Sequence, residues 1–159
     1  MDKLLKLLSE NARFTDKQLA AMLALSEGEV KEKIEECEKL GIINGYHALI
    51  NWQSVDPQYV SAIIEVKVSP KRDHGFDDIA RKIMDFPEVE SLYLMSGGYD
   101  LAITVSGRSF IDVAMFVSKH LSPLDSVIST ATHFVLKRYK DMGVKMHHES
   151  NDERGNFSL

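Results

Sequence analysis

A single cysteine, Cys37, among 159 residues rules out an intrachain disulfide and any zinc site built from several thiolates. Cys37 falls on an apolar helical stripe and reads as core. No apolar run approaches the roughly 20 residues of a membrane span. The opening Met1-Asp2-Lys3-Leu4 leads into an amphipathic helix rather than a signal peptide, so a soluble, cytoplasmic protein is expected. Positive charge is also scarce. The formal net charge of −5 argues against a protein that coats nucleic acid by bulk electrostatics. What the chain does have is 44% apolar residues, enough for one compact domain or two small ones.

The first third is helical. Leu4, Leu5, Leu7 and Leu8 recur at helical spacing up to the Asn11-Ala12-Arg13-Phe14 turn. Thr15 with Gln18, and then Ser26 with Glu29, are two capping-box signatures. They open a helix carrying Leu19, Ala20, Met22 and Leu23, and a helix carrying Val30, Ile34, Cys37 and Leu40 that Gly41 should stop. Three short helices, the last two joined by a tight turn, form a helix-turn-helix pattern, with Ile42 to Ile50 expected as a strand pair or wing. A plain helical bundle has the same spacing. Asn51 to Pro57 is polar and marks a boundary.

From Tyr59 the period changes to two, with Ala62, Ile64, Val66 and Val68 alternating with Ser61, Ile63, Glu65 and Lys67 in a strand ending at Pro70. A helix with Phe76, Ile79, Ala80 and Ile83 on one face follows, then two strands joined by Gly97-Gly98-Tyr99-Asp100. A second helix over 109–121 should turn Phe110, Val113, Ala114 and Val117 inward, and a last strand is expected over 127–136. Strand, helix, strand, strand, helix, strand is the ferredoxin-like order, with both helices on one sheet face. The other face would carry Ile63, Tyr93, Met95 and Ala102, and a half-apolar face of that kind predicts a homodimer. The fold class is thus α+β: a winged helix-turn-helix at 1–50, a hinge at 51–58, a ferredoxin-like domain at 59–140 and a polar, mobile tail at 141–159. His147-His148 belongs to that tail and reads as solvated rather than metal-binding.

Several marks in this order resemble one family. They are Leu25-Ser26 entering the third helix, Leu40-Gly41-Ile42-Ile43-Asn44-Gly45-Tyr46 after it, Gly98-Tyr99-Asp100 between strands, and Thr130-Ala131-Thr132-His133-Phe134-Val135-Leu136 followed by Lys140. Over about residues 2–140 the chain resembles the Lrp/AsnC, or feast/famine, transcription regulators. The resemblance implies binding to double-stranded DNA, a ferredoxin-like body that dimerises and assembles further, and a small effector, commonly an amino acid, held between dimers. Carried over by position, the effector contacts are Gly97, Gly98, Tyr99, Asp100 and Leu101, with Thr130 and Thr132 opposite. A glycine turn presents N–H groups to a carboxylate, and Asp100 or a threonine offers an acceptor to an ammonium. The same residues also suit a plain hairpin and strand. No cofactor is implied, and Asp100, His120, Asp125 and His133 sit in no nucleophile, metal or phosphate-loop motif, so no enzyme is expected.

The third helix departs from the family pattern. Residues 26–40 hold six glutamates and three lysines, where phosphate contact favours Arg and Lys. Lys33 stands where the family commonly has arginine, and it lacks arginine's bidentate reach to guanine. In one reading Lys31 and Lys33 face DNA, aided by Lys17 and Arg13, with Ser26 as cap and several heads acting together. In the other, DNA binding is weakened or lost, and an amino-acid-sensing oligomer acts on a protein partner.

Overall fold

A computed structural model describes residues 2–69 and 75–146. The chain divides into two compact units between Leu49 and Ile50. In the first, α1 (Asp2–Glu10), α2 (Asp16–Leu23) and α3 (Glu27–Lys39) enclose Leu4, Leu19, Ala20 and Val30, with Leu7, Leu8, Phe14, Leu25 and Ile34 packed around them. Cys37 is fully buried, as its stripe position requires. Met22 and Leu40, expected on the inner stripes of α2 and α3, are exposed.

Both capping boxes form. The Gln18 N–H donates to Thr15 Oγ1 at 3.2 Å while Thr15 N–H donates back to Gln18 Oε1 at 2.9 Å. The Glu29 N–H donates to Ser26 Oγ at 3.2 Å, and Ser26 N–H and Oγ both donate to Glu29 Oε2 at 2.8 Å. Helix α3 ends as its glycine predicts. Gly41 takes φ +65°, and the Ile42 and Gly41 N–H groups close onto the carbonyls of Cys37 and Glu38, the Schellman arrangement.

The expected strand pair over 42–50 is not formed: these residues carry no strand. Their hydrogen bonds turn back to α3 instead. Ile43 N–H joins Ile42 on the Cys37 carbonyl, Asn44 Nδ2 donates to the Gly41 carbonyl at 2.9 Å, and the Tyr46 hydroxyl donates to Glu38 Oε1 at 3.0 Å. Burial and the neighbouring Glu38 carboxylate push the Tyr46 phenol up, keeping it the donor.

The second unit opens with a one-turn helix, α4 (Trp52–Val55). Then come β1 (Val60–Val68), α5 (Asp77–Met84), β2 (Val89–Leu94), β3 (Leu101–Gly107), α6 (Phe110–Phe116) running into a π-helical turn (Val117–Leu121), and β4 (Val127–Phe134). The four strands form one antiparallel sheet in the order β2-β3-β1-β4, the ferredoxin-like topology. Alternation in β1 sorts its side chains as its period predicts: Ala62, Ile64 and Val66 are fully buried with Ile79, Ile83, Ile103, Val113, Phe116 and Leu121. The opposite face holds Ile63 and Tyr93, 44% and 58% exposed, while Ala102 on that face is 9% exposed.

Helix α6 faces the sheet differently from the expectation. Val113, Phe116 and Leu121 are buried, whereas Phe110 is 56% exposed and Ala114 is exposed. Past Phe116 the helix continues as a π-helical turn, in which Ser122 N–H donates to the Val117 carbonyl at 2.8 Å, and Leu121 at its end is fully buried. Strand β4 stops at Phe134, and Leu136 is exposed. The segment expected as a mobile tail is structured at its start: β5 (Lys140–Asp141) and β6 (Val144–Lys145) form a hairpin through Met142 and Gly143, both at positive φ. Pro70, expected as the end of the first strand, lies outside the described residues, as do His147-His148 and the rest of the tail.

The Ser26–Glu29 box gives the first unit a pH signature. Hydrogen bonds from the Ser26 N–H and hydroxyl, aided by Lys33, hold the Glu29 carboxyl below its ordinary value of 4.5. A carboxyl depressed on folding adds stability that is full above its unfolded value and lost as pH falls through the folded one. Urea midpoints of the wild type should therefore drop faster in acid than those of Glu29→Gln. Ser26→Ala should lower the stability of this unit by about 1 kcal/mol at neutral pH.

Candidate effector turn and DNA-reading helix

The β2–β3 hairpin is closed by Met95 N–H donating to the Asp100 carbonyl at 2.8 Å, leaving Ser96 to Tyr99 as its loop. Gly97 takes φ +146°, while Gly98 does not require positive φ. A Cβ at either glycine would meet nothing within 4 Å, so packing does not demand them and their backbone stands open on one side.

Asp100 is tied into the sheet. Its N–H donates to the Val66 carbonyl at 3.0 Å, and its Oδ2 accepts from Val68 N–H at 2.8 Å. The carboxylate thus extends the β1–β3 ladder by one bond beyond the Val66–Leu101 pair. One carboxylate oxygen therefore serves the fold.

On the other edge of β1, Val66 pairs with Thr130 and Ile64 with Thr132. Leu101, Val66 and Thr130 are consecutive across three strands, about 10 Å from first to last at ordinary strand spacing, and cross-strand partners point to one face. The turn, Leu101 and Thr130 thus share the end of the sheet where β1 terminates. Thr132 lies one pair further in. Leu101 is 1% exposed, a core side chain, so it can meet a ligand only through its backbone. Thr130 and Thr132 are half-buried on the helix-covered side of edge strand β4.

Of the groups weighed for catalysis, His133 Nε2 lies 3.5 Å from Glu65 Oε1 on the open sheet face, with 59% of its side chain exposed. It is a surface histidine on that face. His120 packs against the rings of Phe86 and Phe116 at 5.0 and 5.8 Å. Among the described residues no three His, Cys, Asp or Glu converge as metal ligands.

In α3, Val30, Ile34 and Cys37 face the core. Residues two apart on a helix are turned by about 200°, so Lys31 and Lys33 lie on opposite flanks of α3. Each lysine sits one turn from a glutamate: Lys31 Nζ is 4.0 Å from Glu35 Oε1, and Lys33 acts on Glu29. Lys17 and Arg13 are exposed, and the Arg13 N–H donates to Asn11 Oδ1 at 3.0 Å. Ser26 is committed to its cap. Projected from its buried residues Val30 and Cys37, the helix turns Gly28, Glu32 and Glu35 outward.

A capped helix-turn-helix followed by a ferredoxin-like sheet defines a DNA-binding regulator with a ligand-binding body. Residues 3–44 match the winged helix-turn-helix DNA-binding model, and residues 61–144 match the Lrp/AsnC ligand binding domain. The chain belongs to the Lrp/AsnC family of transcription regulators. The HTH-type transcriptional regulator YugG of Bacillus subtilis is 48% identical over 153 residues, 96% of this chain and 92% of that protein. A proline dehydrogenase transcriptional activator of Rhodobacter capsulatus is 26% identical over 85% of this chain and 87% of its own. The structure of a Neisseria meningitidis transcriptional regulator in complex with L-methionine superposes with a TM-score of 0.71 at 29% identity, covering 87% of this chain and 89% of that one.

Asp100→Ala should lower the unfolding free energy by about 1–2 kcal/mol, the cost of orphaning the Val68 N–H. Asp100→Asn keeps an acceptor oxygen and should lose less than half of that. Denaturant titration of the three proteins measures both.

Proposed function

We propose that this chain is a DNA-binding regulator whose ferredoxin-like bodies form a homodimer and a higher oligomer, with an amino-acid effector bound between dimers at the Gly97–Asp100 turn. The observation that carries this reading is the open backbone at Gly97 and Gly98, beside a carboxylate with one oxygen already committed. Amide N–H groups there suit the effector's carboxylate, and the second Asp100 oxygen, with the Thr130 and Thr132 hydroxyls, suits its ammonium. The Neisseria relative's complex with methionine supports that ligand class. The half-apolar face of Ile63 and Tyr93 supports the dimer. Residues 51–58 act as the hinge through which an effector with different affinity for two assemblies alters head spacing. The regulator works in the cytoplasm, with no cofactor and no catalytic step.

The glutamates on α3 support a second reading, an effector-sensing oligomer that acts on a protein partner. One titration separates the two. The purified protein is bound to DNA from its own upstream region across a salt series, with and without a pool of the twenty amino acids. Selective binding that falls with salt and shifts with the pool is the expected result. Absence of selective binding at low salt, with the oligomer intact, favours the second reading.

Asp100→Asn should retain DNA binding but require more than tenfold more of the active amino acid for half response, read by fluorescence anisotropy. An unchanged midpoint would move the pocket elsewhere. Lys31→Glu with Lys33→Glu should weaken binding to all sequences and flatten the salt slope by about 0.9 for each phosphate that is no longer neutralised.

A further inference from the structure

Six glutamates lie on α3, and the structure accounts for three. Glu29 is held by Ser26, Glu35 is opposite Lys31, and Glu38 accepts from Tyr46. Of the others, Glu27 is turned toward the core-side flank, and Glu36 lies in the third turn. Glu32 remains. It is exposed, it makes no hydrogen bond or ion pair among the described residues, and it points directly away from Val30 and Cys37 in the first two turns. Those turns of a second helix in a helix-turn-helix are the ones that meet base edges.

One turn before Glu32, on the same face, stands Gly28. Glycine weakens a helix relative to alanine, and nothing within the fold asks for it here. Its backbone is not at positive φ, and an added Cβ would meet no atom within 4 Å. A glycine that neither conformation nor packing explains, on an outward helix face, fits the close approach of a ligand's surface to the backbone.

We infer that the Gly28–Glu32 face of α3 reads a cytosine in the major groove, Gly28 admitting the base pair close to the helix and a Glu32 carboxylate oxygen accepting the cytosine N4–H. This rests on the DNA-binding role of the first unit and deepens it. Cytosine offers an amino donor to the major groove, which suits a carboxylate. Adenine's amino group sits beside the N7 acceptor, which repels the second carboxylate oxygen. Phosphates on either side repel Glu32 on every sequence alike, and only where a cytosine N4–H is accepted is that repulsion offset, so the carboxylate disfavours the sites that lack one.

The test is selection of sites from a randomised duplex pool by the full-length protein, followed by titration of the selected site and its single-base variants at fixed salt. The wild type should select cytosine at one position in each half-site, with about tenfold weaker binding on replacing it. Glu32→Gln should move the preference at that position to adenine, whose N6 and N7 match a carboxamide. Gly28→Ala should raise the thermal midpoint yet weaken operator binding. Unchanged base preference at every position in both Glu32→Gln and Glu32→Ala would falsify the assignment, as would full operator affinity in Gly28→Ala. A wild type that binds DNA with no base preference at low salt overturns the reading helix itself, an outcome distinguishable because it precedes any variant.

Discussion

Strand β1 is hydrogen-bonded along both edges, to β3 on one side and β4 on the other, and the second unit is organised around that double pairing. Its inward residues form the middle of the core, and its register places the turn after β2 and the threonines of β4 at the same end of the sheet. A slip of one residue would exchange the faces, exposing Ile64 and Val66 and burying Glu65. The Asp100 carboxylate fixes the β3 side of this end by bonding Val68 N–H, while Ser69 N–H donates to the Ser126 carbonyl at 2.8 Å beside β4. Fold and candidate pocket therefore share a residue. The loop that presents open glycine backbone is anchored by the side chain proposed to offer a ligand its charge.

The first unit rests on a different device. Its core is small, and its helix ends are closed by local chemistry: threonine and serine caps at the N-termini of α2 and α3, Gly41 at the end of α3, and Ala24 in a left-handed conformation at the end of α2. Alanine is an unusual occupant of that position. The tight turn between α2 and α3 sets their crossing, so part of the geometry of α3 is held by a strained residue and two reciprocal caps. These interactions also explain why so acidic a helix is stable. Glu29 works as a cap, Glu38 as an acceptor for Tyr46, and Glu27 and Glu29 lie at the positive end of the helix dipole.

Much of this is legible in the sequence because it follows from short-range rules. Caps at Thr15 and Ser26, the stop at Gly41, the period-two pattern of β1 and the order of elements need only neighbours in the chain. What escapes is set by tertiary partners. The stretch 42–50 reads as strand by composition, yet without an adjacent strand its polar groups bond back to α3. Which side of α6 turns inward is set by its packing against the sheet, which buries Val113 and Phe116 and leaves Phe110 and Ala114 exposed. Met142-Gly143 reads as tail because its hairpin pairs only two residues on each side. In the candidate site the turn residues are visible but the anchoring role of Asp100 is not, since Val68 lies 32 positions away. Burial of Leu101 follows from its partner Val66. Lys31 and Lys33 are close in sequence, although a helix sends them to opposite sides.

The uncommitted glutamates of α3 have a kinetic consequence. Arbitrary DNA holds a protein mainly through its phosphates, and that sequence-blind attraction lets it slide. If α3 meets DNA as proposed, a head whose outward face carries Glu32, and whose Lys31 and Lys33 each neighbour a glutamate, would dwell briefly on such DNA. Its search for a target would then proceed by repeated collision from solution more than by scanning along the duplex, and the time to find a site would follow protein concentration rather than the length of flanking DNA.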